Sequence, residues 1–433
     1  MLPKLSIVNL YFLSGSGPRL GSRVKKGGLI LKIVALGGSG AMGQVAIRTL
    51  LAEFTPDELV IADINVQVAE EFAASLETTA TRVKTQALDV TDGEALRHVL
   101  SDADLVMNST GPFFRFGVPI LQAAIDTQTN YIDICDDAEP TVEMLTLDEK
   151  AKRAGITAVI GAGASPGFMN LLAAEIVKEL DEVTDVISAW SFDSEQQDWD
   201  MLRSFKGKSQ AALVHFLEQA TGQIHATRDG ELVEIRPMQP FEIDIEGLGS
   251  GVGHTVGHPE PVTFPRSFSL TGSSTSLCMM TGHRMAEFRI YLDQIEAGDL
   301  SLERAAEWIL QRDKEVINRA QESAANYGSV GTLPIYMVVA RGKRDGTDVF
   351  AFAGTRTKPE DMALATGAPF GIAVATIATG QFPAGVFAPE QVIEPNAYFD
   401  RVAHYWNIAR EDLYFTGLSE LGVVRELGAE VDA

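Results

Sequence analysis

The sequence predicts an α/β protein in which a doubly wound parallel sheet precedes a second α+β domain with a mainly antiparallel sheet. From residue 31, short β-prone runs alternate with helix-length amphipathic segments, a pattern typical of parallel sheets. After Gly167 strand-like runs predominate, including "VISAWSF", "ELVEIRPM", "AEFRIYLD", "LPIYMVVARGK" and "DVFAFAGT". Because only scattered helical segments separate these runs, they predict a largely antiparallel sheet.

The alternation in the first domain can be followed element by element. Its predicted strands are "LKIVAL", "LVIAD", "VKTQALDV", "DLVMNS", "YIDIC" and "ITAVIG". The predicted helices cover residues 42–53, 66–77, 92–100, 117–127 and 141–154. In such sheets, ligands bind outside the carboxyl ends of the strands, where the strand order reverses.

The chain of 433 residues is long enough for about two or three domains. Residues 1–30 predict a flexible leader, because the apolar run "LSIVNLYFL" precedes a Gly-, Ser- and Lys-rich stretch without an A-x-A cleavage site. We assign residues 31–166 to the first domain and 167–361 to the second. Residues 362–433 can return to complete the first domain.

Residues 362–389 contain no charged side chain and are long enough for a transmembrane helix. Their Gly, Ala and Thr content and internal prolines favour a buried helix followed by a loop. We therefore expect no membrane partner.

Charge and cysteine content exclude further classes of protein. Acidic residues exceed basic ones by 59 to 35, a net charge of -24, which disfavours binding to nucleic acid and to anionic membrane surfaces. The two cysteines, Cys135 and Cys278, cannot form a disulfide framework and lack the paired spacing of a zinc site. We expect a cytoplasmic protein.

The first predicted strand is followed by "GGSGAMG", in which Gly38, Gly40 and Gly43 fit G-x-G-x-x-G. Such glycines let the backbone approach a pyrophosphate at a helix N-terminus, although the same pattern can be a simple tight turn. The strand, the helix and Asp63 twenty residues later together predict a Rossmann-type dinucleotide site. Its candidate contacts in this loop are Gly38, Ser39, Gly40, Ala41, Met42 and Gly43.

Asp63 lies at the end of the second predicted strand. A carboxylate there can accept hydrogen bonds from ribose hydroxyls and would repel a 2'-phosphate, so NAD is favoured as cofactor over NADP. No arginine follows Asp63 to reverse this preference, but the residue can also be a solvated strand end.

The segment "NSTGPFFRFG" follows the fourth strand, where a loop usually lies beside the nicotinamide. Its candidate cofactor contacts are Asn108, Thr110 and Gly111. Its aromatic residues either wall the pocket or pack between domains: Phe113, Phe114 and Phe116. Arg115 is a candidate for binding a substrate carboxylate, with an ordinary surface arginine as the alternative.

The segment "NYIDICDD" ends the fifth predicted strand in Cys135, Asp136 and Asp137. Burying unpaired carboxylates is costly, so the strand ends either in solvent or in a crevice where charge is needed. The candidate catalytic residues here are Cys135, Asp136 and Asp137, since a carboxylate there can act as a general acid or base. Alternatively, the aspartates cap the helix that begins near Thr141.

The segment "GVGHTVGHPEPVTFPR" contains His254, His258 and Glu260. Two histidines four residues apart can bind zinc on one helical face, but the glycines and Pro259 disfavour a helix, so we expect no metal. We expect instead a loop that turns His258 and Glu260 toward the crevice. We therefore predict that His258 is catalytic and that Glu260 binds substrate. Two further candidates for carboxylate binding, which can equally be solvated charges, are Lys206 and Lys208.

Five segments resemble the saccharopine dehydrogenase-like oxidoreductases: "GGSGAMG", "NSTGPFFRFGVPILQAAIDTQTNYIDICDD", "AKRAGITAVIGAGASPGFMNLLAAE", "GHPEPVTFPR" and "TGAPFGIAVATIATGQFPAGVFAPE". The resemblance implies nicotinamide-dependent oxidation of a C–N bond in an amino acid, opine or polyamine-like compound, or the reverse imine reduction. One segment, "GASPGFMN", departs from the acidic residue before Pro-Gly and the Asp-His pair after it that saccharopine reductases carry. This departure argues against saccharopine itself as substrate.

The sequence thus predicts a cytoplasmic, homodimeric NAD(P)-dependent oxidoreductase acting on a small amine or amino acid. Two alternatives remain open at this point. One is a dinucleotide-binding sensor or scaffold without catalysis. The other is a metal-assisted hydrolase centred on His254 and His258.

Overall fold

The computed structural model describes residues 31–77, 80–191, 209–311, 314–359 and 361–427. Seven strands of this part of the chain form a parallel sheet: β1 (Lys32–Leu36), β2 (Glu58–Asp63), β3 (Arg82–Ala87), β4 (Leu105–Asn108), β5 (Asn130–Asp133), β6 (Thr157–Val159) and β15 (Gly385–Phe387). Their order is β15-β6-β5-β4-β1-β2-β3. The order reverses between β1 and β4, so a ligand crevice is expected at their carboxyl ends. The predicted doubly wound sheet is confirmed.

The helices of the first domain connect these strands. They are α1 (Ala41–Glu53), α2 (Val66–Ala74), α3 (Gly93–Leu100), α4 (Phe113–Thr127), α5 (Ala138–Leu145) and α6 (Asp148–Ala154). Asn65 and Asp92 cap α2 and α3 by accepting backbone N–H groups with their side chains. The helix predicted over 141–154 is divided into α5 and α6.

The remaining strands in the described chain form a second, mainly antiparallel sheet. They are β7 (Glu182–Ser191), β8 (Ile224–Arg228), β9 (Glu231–Ile235), β10 (Pro240–Ile245), β11 (Gly249–Thr255), β12 (Ser274–Met279), β13 (Tyr336–Arg344), β14 (Thr347–Thr355), β16 (Phe415–Ser419) and β17 (Gly422–Glu426). The main path is β16-β14-β13-β7-β12-β11-β10-β17, in which only β7 and β12 pair in parallel.

The helices outside the first alternation are α7 (Phe168–Val177), α8 (Ser209–Gln219), α9 (Glu260–Phe268), α10 (Gly282–Glu296), α11 (Leu302–Gln311), α12 (Lys314–Ser323), α13 (Met362–Thr379), α14 (Pro395–Trp406) and α15 (Arg410–Leu413). The prediction of a strand for "AEFRIYLD" is wrong, because this run lies within α10. Thr281 caps the helix, and Met285, Phe288 and Leu292 are buried at helical spacing. Packing of that face outweighs the β propensity of its aromatic and branched residues.

Within the described chain, α13 alone is long and apolar enough to cross a membrane, but 72% of it is buried inside the protein. It packs closely on α1, because Cβ atoms added at Gly367 and Gly371 would lie 2.7 Å and 2.5 Å from the carbonyl oxygens of Met42 and Ala46. The prediction of a buried helix is confirmed. The C-terminal segment is divided between the two domains. Helix α13 packs on α1 and β15 joins the first sheet, whereas β16 and β17 join the second.

Candidate active site

The loop between β1 and α1 is shaped to receive a ligand at the helix N-terminus. Gly37 has a φ of 66°, which favours glycine. A Cβ at Gly43 would lie 2.7 Å from the Gly37 carbonyl oxygen, so this glycine permits close packing of helix on strand. A Cβ at Gly40 would meet only the Gly37 oxygen, at 3.2 Å. The predicted glycine loop therefore leaves space over Gly40.

The first turn of α1 has the donors that a pyrophosphate requires. It has no side-chain cap and no acidic residue, so its backbone N–H groups and the helix dipole are available to an anion. Ala41 and Met42 belong to this turn. Asp63, at the end of β2, accepts a 2.5 Å hydrogen bond from the Ser39 hydroxyl. The carboxylate therefore lies beside the loop, as a ribose-binding residue would.

The segment after β4 has a supporting role that the sequence did not reveal. Asn108 is fully buried; its amide donates to the Tyr131 hydroxyl (3.1 Å), and its carbonyl accepts the Thr110 N–H (3.0 Å). Its side chain thus shapes the loop from beneath, although it was predicted to contact the cofactor. The Thr110 hydroxyl is buried without a partner among the described residues, and Gly111 is exposed. An unpartnered hydroxyl beside Gly37 fits a ligand-contacting loop.

The three aspartates of "NYIDICDD" have different environments. Asp133, at the end of β5, is fully buried and accepts hydrogen bonds from the Tyr131 hydroxyl and from the N–H groups of Cys135 and Gly161. Burial raises the pKa of Asp133 to about 6, and these donors partly offset the rise. This carboxylate is structural, because its hydrogen bonds hold the start of the loop that carries Asp136 and Asp137.

Asp136 and Asp137 face a histidine that sequence reasoning missed. His215, on α8, places Nε2 3.4 Å from Asp136 and Nδ1 3.4 Å from Asp137. One turn later, the Gln219 amide donates to the Asp136 carbonyl (2.8 Å). The i, i+4 spacing of His215 and Gln219, which places both on one face of a helix, was the available signal. These contacts join the second domain to the carboxyl end of β5.

The charges in this group support one another. Burial alone would lower the pKa of His215, but the carboxylates of Asp136 and Asp137 outweigh it and raise the pKa to about 9. Burial would raise the pKa of Asp136, but the His215 cation keeps it below its usual value. Burial raises the pKa of Asp137 to about 6. Near neutral pH the group is therefore an imidazolium between two carboxylates.

We predict that the His215 contacts stabilise the protein in a pH-dependent manner. Since the pKa of His215 is about 9 in the folded state and 6.5 normally, the stabilisation is complete below pH 6.5 and is lost as pH rises through 9. It amounts to about 3 kcal/mol at most. Urea unfolding of wild type and His215→Gln between these pH values should show a stability difference that shrinks as pH rises.

Exposed His98 supplies the control, since His98→Gln should leave the free energy of unfolding unchanged across this range. A constant difference between wild type and His215→Gln would contradict an ion-pair origin. It would indicate a loss of packing instead.

A second histidine, His258, interacts electrostatically with Asp136. His258 is 4% exposed, and its Nδ1 lies 2.7 Å from Glu260, which is fully buried. This contact is with Glu260 Oε2, and the Ser276 hydroxyl lies 3.5 Å from the same oxygen. The second carboxylate oxygen, Oε1, accepts a 2.6 Å hydrogen bond from the Ser165 hydroxyl in the segment after β6. Glu260 therefore holds the ring of His258 in one orientation.

The His258 and Glu260 pair is arranged for proton transfer. Burial alone would lower the pKa of His258, but the Glu260 and Asp136 carboxylates outweigh it and raise the pKa. Burial would raise the pKa of Glu260, but His258 and Ser165 keep it low. Because Nδ1 is bound to Glu260, Nε2 is the ring nitrogen that remains to exchange a proton.

Several predicted site residues lie elsewhere or have other partners. Glu260, predicted to bind substrate, is occupied by His258 and Ser165. Arg115 is exposed, stacks on Phe116 (5.1 Å) and acts electrostatically on Asp89; in the described chain it forms no ion pair with Asp136 or Asp137. Lys206 and Lys208 lie outside the described residues.

Cys135 is also unsuited to the catalytic role predicted for it. Its thiol is fully buried between the Asp137 carbonyl (3.6 Å) and the Thr141 hydroxyl (3.7 Å). Burial raises the pKa of this thiol well above its usual value, so it stays protonated and unreactive. We therefore assign Cys135 a structural role.

The aromatic residues after β4 are divided between core and surface. Phe113 is buried in the core of the first domain, whereas Phe114 is 55% exposed. The backbone N–H of Phe114 donates to Asp137 (3.1 Å). This hydrogen bond, and not an aromatic wall, links the segment to the aspartates.

The histidine pair considered for a hydrolase does not form a metal-binding group in the described chain. His254 is buried on β11, and burial lowers its pKa to about 4. The one group of three metal-ligating side chains found among the described residues is Asp136, Asp137 and His215. Each nitrogen of His215 already faces a different carboxylate, so an imidazolium explains this group without an ion.

The geometry agrees with comparisons to known proteins. Residues 33–159 match the family described as the saccharopine dehydrogenase NADP binding domain. The first domain is similar to this family over those residues. A nicotinamide dinucleotide is therefore its cofactor, as the glycine loop and Asp63 predicted. The preference for NAD stays a prediction, because the family description names NADP.

Curated relatives of this saccharopine dehydrogenase-type domain are similar over part of their length. The chain is 34% identical over 154 residues to saccharopine dehydrogenase [NADP(+), L-glutamate-forming] of Saccharomyces cerevisiae, covering 35% of this chain and 31% of that protein. It is 24% identical over 175 residues to carboxynorspermidine synthase of Vibrio alginolyticus, covering 36% and 42%. The matched region thus spans less than half of each relative.

A comparison of structures shows similarity over both domains. The apo saccharopine dehydrogenase (L-Glu forming) structure from Saccharomyces cerevisiae superposes with a TM-score of 0.54 and 18% identity. The match covers 91% of this chain and 100% of that one. The arrangement of a parallel sheet and a second mixed sheet is therefore shared.

Proposed function

We propose that the protein is an NAD(P)-dependent oxidoreductase that acts on the C–N bond of an amino acid, opine or polyamine-like substrate. The observation that carries this proposal is the buried His258 and Glu260 pair, which interacts electrostatically with Asp136. Asp136 follows β5, whose last residue, Asp133, pairs in register with Asn108 of the cofactor-binding segment. A proton-transfer group thus lies at the same edge of the sheet as the glycine loop.

The reaction divides into a hydride transfer and a proton transfer. The glycine loop and Asp63 would hold a nicotinamide dinucleotide, which would supply the hydride chemistry at the substrate carbon in either direction. His258 Nε2 takes the proton from the substrate nitrogen in the first direction and returns it in the second. Glu260 orients the ring and stabilises the imidazolium, and Asp136 adds a second negative charge nearby.

Asp136 and His215 have a positioning role in this proposal. The lowered pKa of Asp136 keeps it ionised near neutral pH, so it is a poor proton donor there. Its charge instead favours the protonated forms of His215 and His258. Asp137, the residue immediately before α5, does the same for His215.

A nicotinamide absorbance assay tests the proposal. Amino acids, opines and polyamines are each supplied with NAD or NADP, and the corresponding keto acids and aldehydes are supplied with an amine and the reduced cofactors. Turnover at an amine-bearing carbon that is lost in His258→Asn supports the proposal. Tight cofactor binding without turnover across both panels would instead indicate a dinucleotide-binding sensor.

The preference for NAD gives a separate prediction. Replacing Asp63 by Ala removes the charge that repels a 2'-phosphate. The ratio of the affinity for NAD to the affinity for NADP should therefore fall by about tenfold. Affinities for both cofactors are measured by calorimetry. Glu94→Ala, an exposed change of the same net charge on α3, should leave the ratio unaltered. A wild-type preference for NADP would show that Asp63 does not face the ribose.

The cytoplasmic location and the homodimer remain predictions of this proposal. Both described cysteines are free and buried, which suits a reducing compartment. Exposed apolar side chains on the edge strands β16 and β17 and in the turn between them support association of two copies: Leu418, Val423 and Leu421.

A further inference from the structure

A cavity of about 240 Å³ opens at one end of the second sheet. The sheet curls around it: two residues join the edge strands β16 and β17, and a Cβ at Gly422 of β17 would lie 3.1 Å from Phe350 of β14. One hydrophobic cluster fills the interior with residues from β7, β10, β12, β13, β14 and both edge strands. The cavity therefore resembles the mouth of a small barrel, a frequent ligand site.

The cavity lies on the opposite face of the sheet from the candidate active site. Thr275 of β12 lines the cavity, whereas the hydroxyl of the next residue, Ser276, lies 3.5 Å from Glu260. Adjacent residues of a strand point to opposite faces. The two sites are therefore separated by the thickness of the sheet.

The walls of the cavity combine an apolar floor with a charged rim. The apolar residues are Ile187, Phe241, Val339, Phe350 and Val424. The charged residues are Arg228, Arg341, Arg425, Asp185 and Glu426. Each of the three arginines is paired with a carboxylate, since Arg425 contacts Glu242 of β10 (2.7 Å). The guanidinium groups at the rim nevertheless present several N–H donors to an anion.

The arginines keep donors for a ligand despite their ion pairs. Arg341 contacts Asp185 through Nη2 (2.7 Å), and Arg228 contacts Glu426 through Nη2 (3.6 Å). A guanidinium has about five N–H donors, so one such contact leaves others unused. These side chains can therefore bind a carboxylate while retaining their present partners.

Thr275 gives an independent sign of a missing ligand. It is 2% exposed, and its hydroxyl has no hydrogen-bond partner among the described residues. Thr275 pairs with Ile187 of the neighbouring strand, and both line the cavity. A buried hydroxyl without a partner is costly, and a ligand oxygen in the cavity would satisfy it.

We propose that this cavity binds a small monocarboxylate with an apolar body, at a site separate from the active-site crevice. The guanidinium groups at the rim bind the carboxylate, and the apolar floor receives the remainder of the ligand. The volume of about 240 Å³ is below the range of about 300–1,000 Å³ typical of drug-sized ligands, so the ligand is correspondingly small.

The test compares 3-phenylpropanoate with its neutral counterpart 3-phenylpropan-1-ol, by saturation-transfer NMR and calorimetry on the full chain. The acid should bind with a dissociation constant of about 0.1–1 mM, and the alcohol at least about tenfold more weakly. Arg341→Gln should weaken the acid at least about fivefold. Asp185 still accepts the Ser273 N–H (2.7 Å) in that variant, which favours folding.

Thr275→Val preserves the shape of the side chain and removes the unpartnered hydroxyl. It should weaken binding about threefold or more while leaving the melting temperature unchanged or raised. Arg344→Gln, on the same hairpin but paired with Glu179, is the matched control and should bind as wild type does. His258→Asn should also bind normally, which locates the ligand outside the crevice.

Three results would overturn the proposal. They are absence of binding at concentrations far above the expected constant, equal binding of acid and alcohol, and loss of binding in His258→Asn with Arg341→Gln unaffected. The last result would assign the ligand to the crevice. None of these measurements depends on the proposed reaction, so the two proposals fail separately.

Discussion

Gly40→Val abolishes dinucleotide binding while the protein remains folded. In the structure a Cβ at position 40 would meet only the Gly37 carbonyl oxygen, at 3.2 Å, and Gly40 has a φ of -68° that any residue can adopt. Because this contact requires a shift of only a few tenths of an ångström, we expect the free protein to remain folded. A branched side chain over the first turn of α1 would nevertheless occupy the space through which a pyrophosphate reaches the backbone N–H groups.

Calorimetry and thermal melting measure the two parts of this prediction. Affinity for NAD and NADP should fall below detection, whereas the melting temperature should change by only a few degrees. Gly93→Val is the matched control: it begins α3, and its Cβ would meet only the flexible Arg97 side chain, at 3.4 Å. A folded Gly40→Val variant with wild-type affinity would mean that the cofactor does not bind over this loop.

A contrasting variant separates binding from folding. Gly43→Val should destabilise the protein, because its Cβ would lie 2.7 Å from the Gly37 oxygen and 2.8 Å from the Gly38 Cα. Backbone atoms cannot move aside as a flexible side chain can. Equal melting temperatures for the two valine variants would contradict these different roles for the glycines.

His258→Asn slows turnover by about 100-fold to 10,000-fold with little change in cofactor affinity. The lower limit we accept is about tenfold, because water can partly replace the imidazole. Asparagine keeps an amide that can donate to Glu260, which matters because an unpaired buried carboxylate costs about 3–5 kcal/mol. Steady-state kinetics on the folded variant measures the effect.

The pH profile distinguishes a proton donor from a structural residue. Because Glu260 and Asp136 raise the pKa of His258 above 6.5, the protonated ring persists toward neutral pH. Imine reduction, which requires the protonated ring, should therefore slow as pH rises through this pKa. Amine oxidation requires the neutral ring and should accelerate over the same interval. Both transitions should be absent in His258→Asn.

Two further variants test whether the loss of turnover is specific to His258. His254→Asn replaces another buried histidine of the same segment and should leave turnover near wild type, in contrast to the expectation for a hydrolase centred on both histidines. Asp136→Asn should also slow turnover by at least about tenfold, yet by less than His258→Asn, because the ionised Asp136 acts through the histidines. Normal turnover in both His258→Asn and Asp136→Asn would assign the proton to another group.

Much of the first domain was predictable because its structural signals are local. The glycine loop, the strand before it, the helix after it and Asp63 lie within thirty-odd consecutive residues, and their roles follow from backbone geometry. The buried character of α13 followed from composition. The error at α10 shows the limit, since aromatic and branched residues predict a strand until the packing of one helical face is known.

The sequence by itself determined the doubly wound sheet, the glycine loop and the charged end of β5, because each depends on residues close in the chain. Only the tertiary structure decided how those charges are paired. His215 on α8 contacts Asp136 and Asp137. Glu260, which the sequence predicted to bind substrate, instead pairs with His258. Which carboxylate stays ionised and which imidazole holds a proton depend on burial and on distances of a few ångströms between groups remote in sequence.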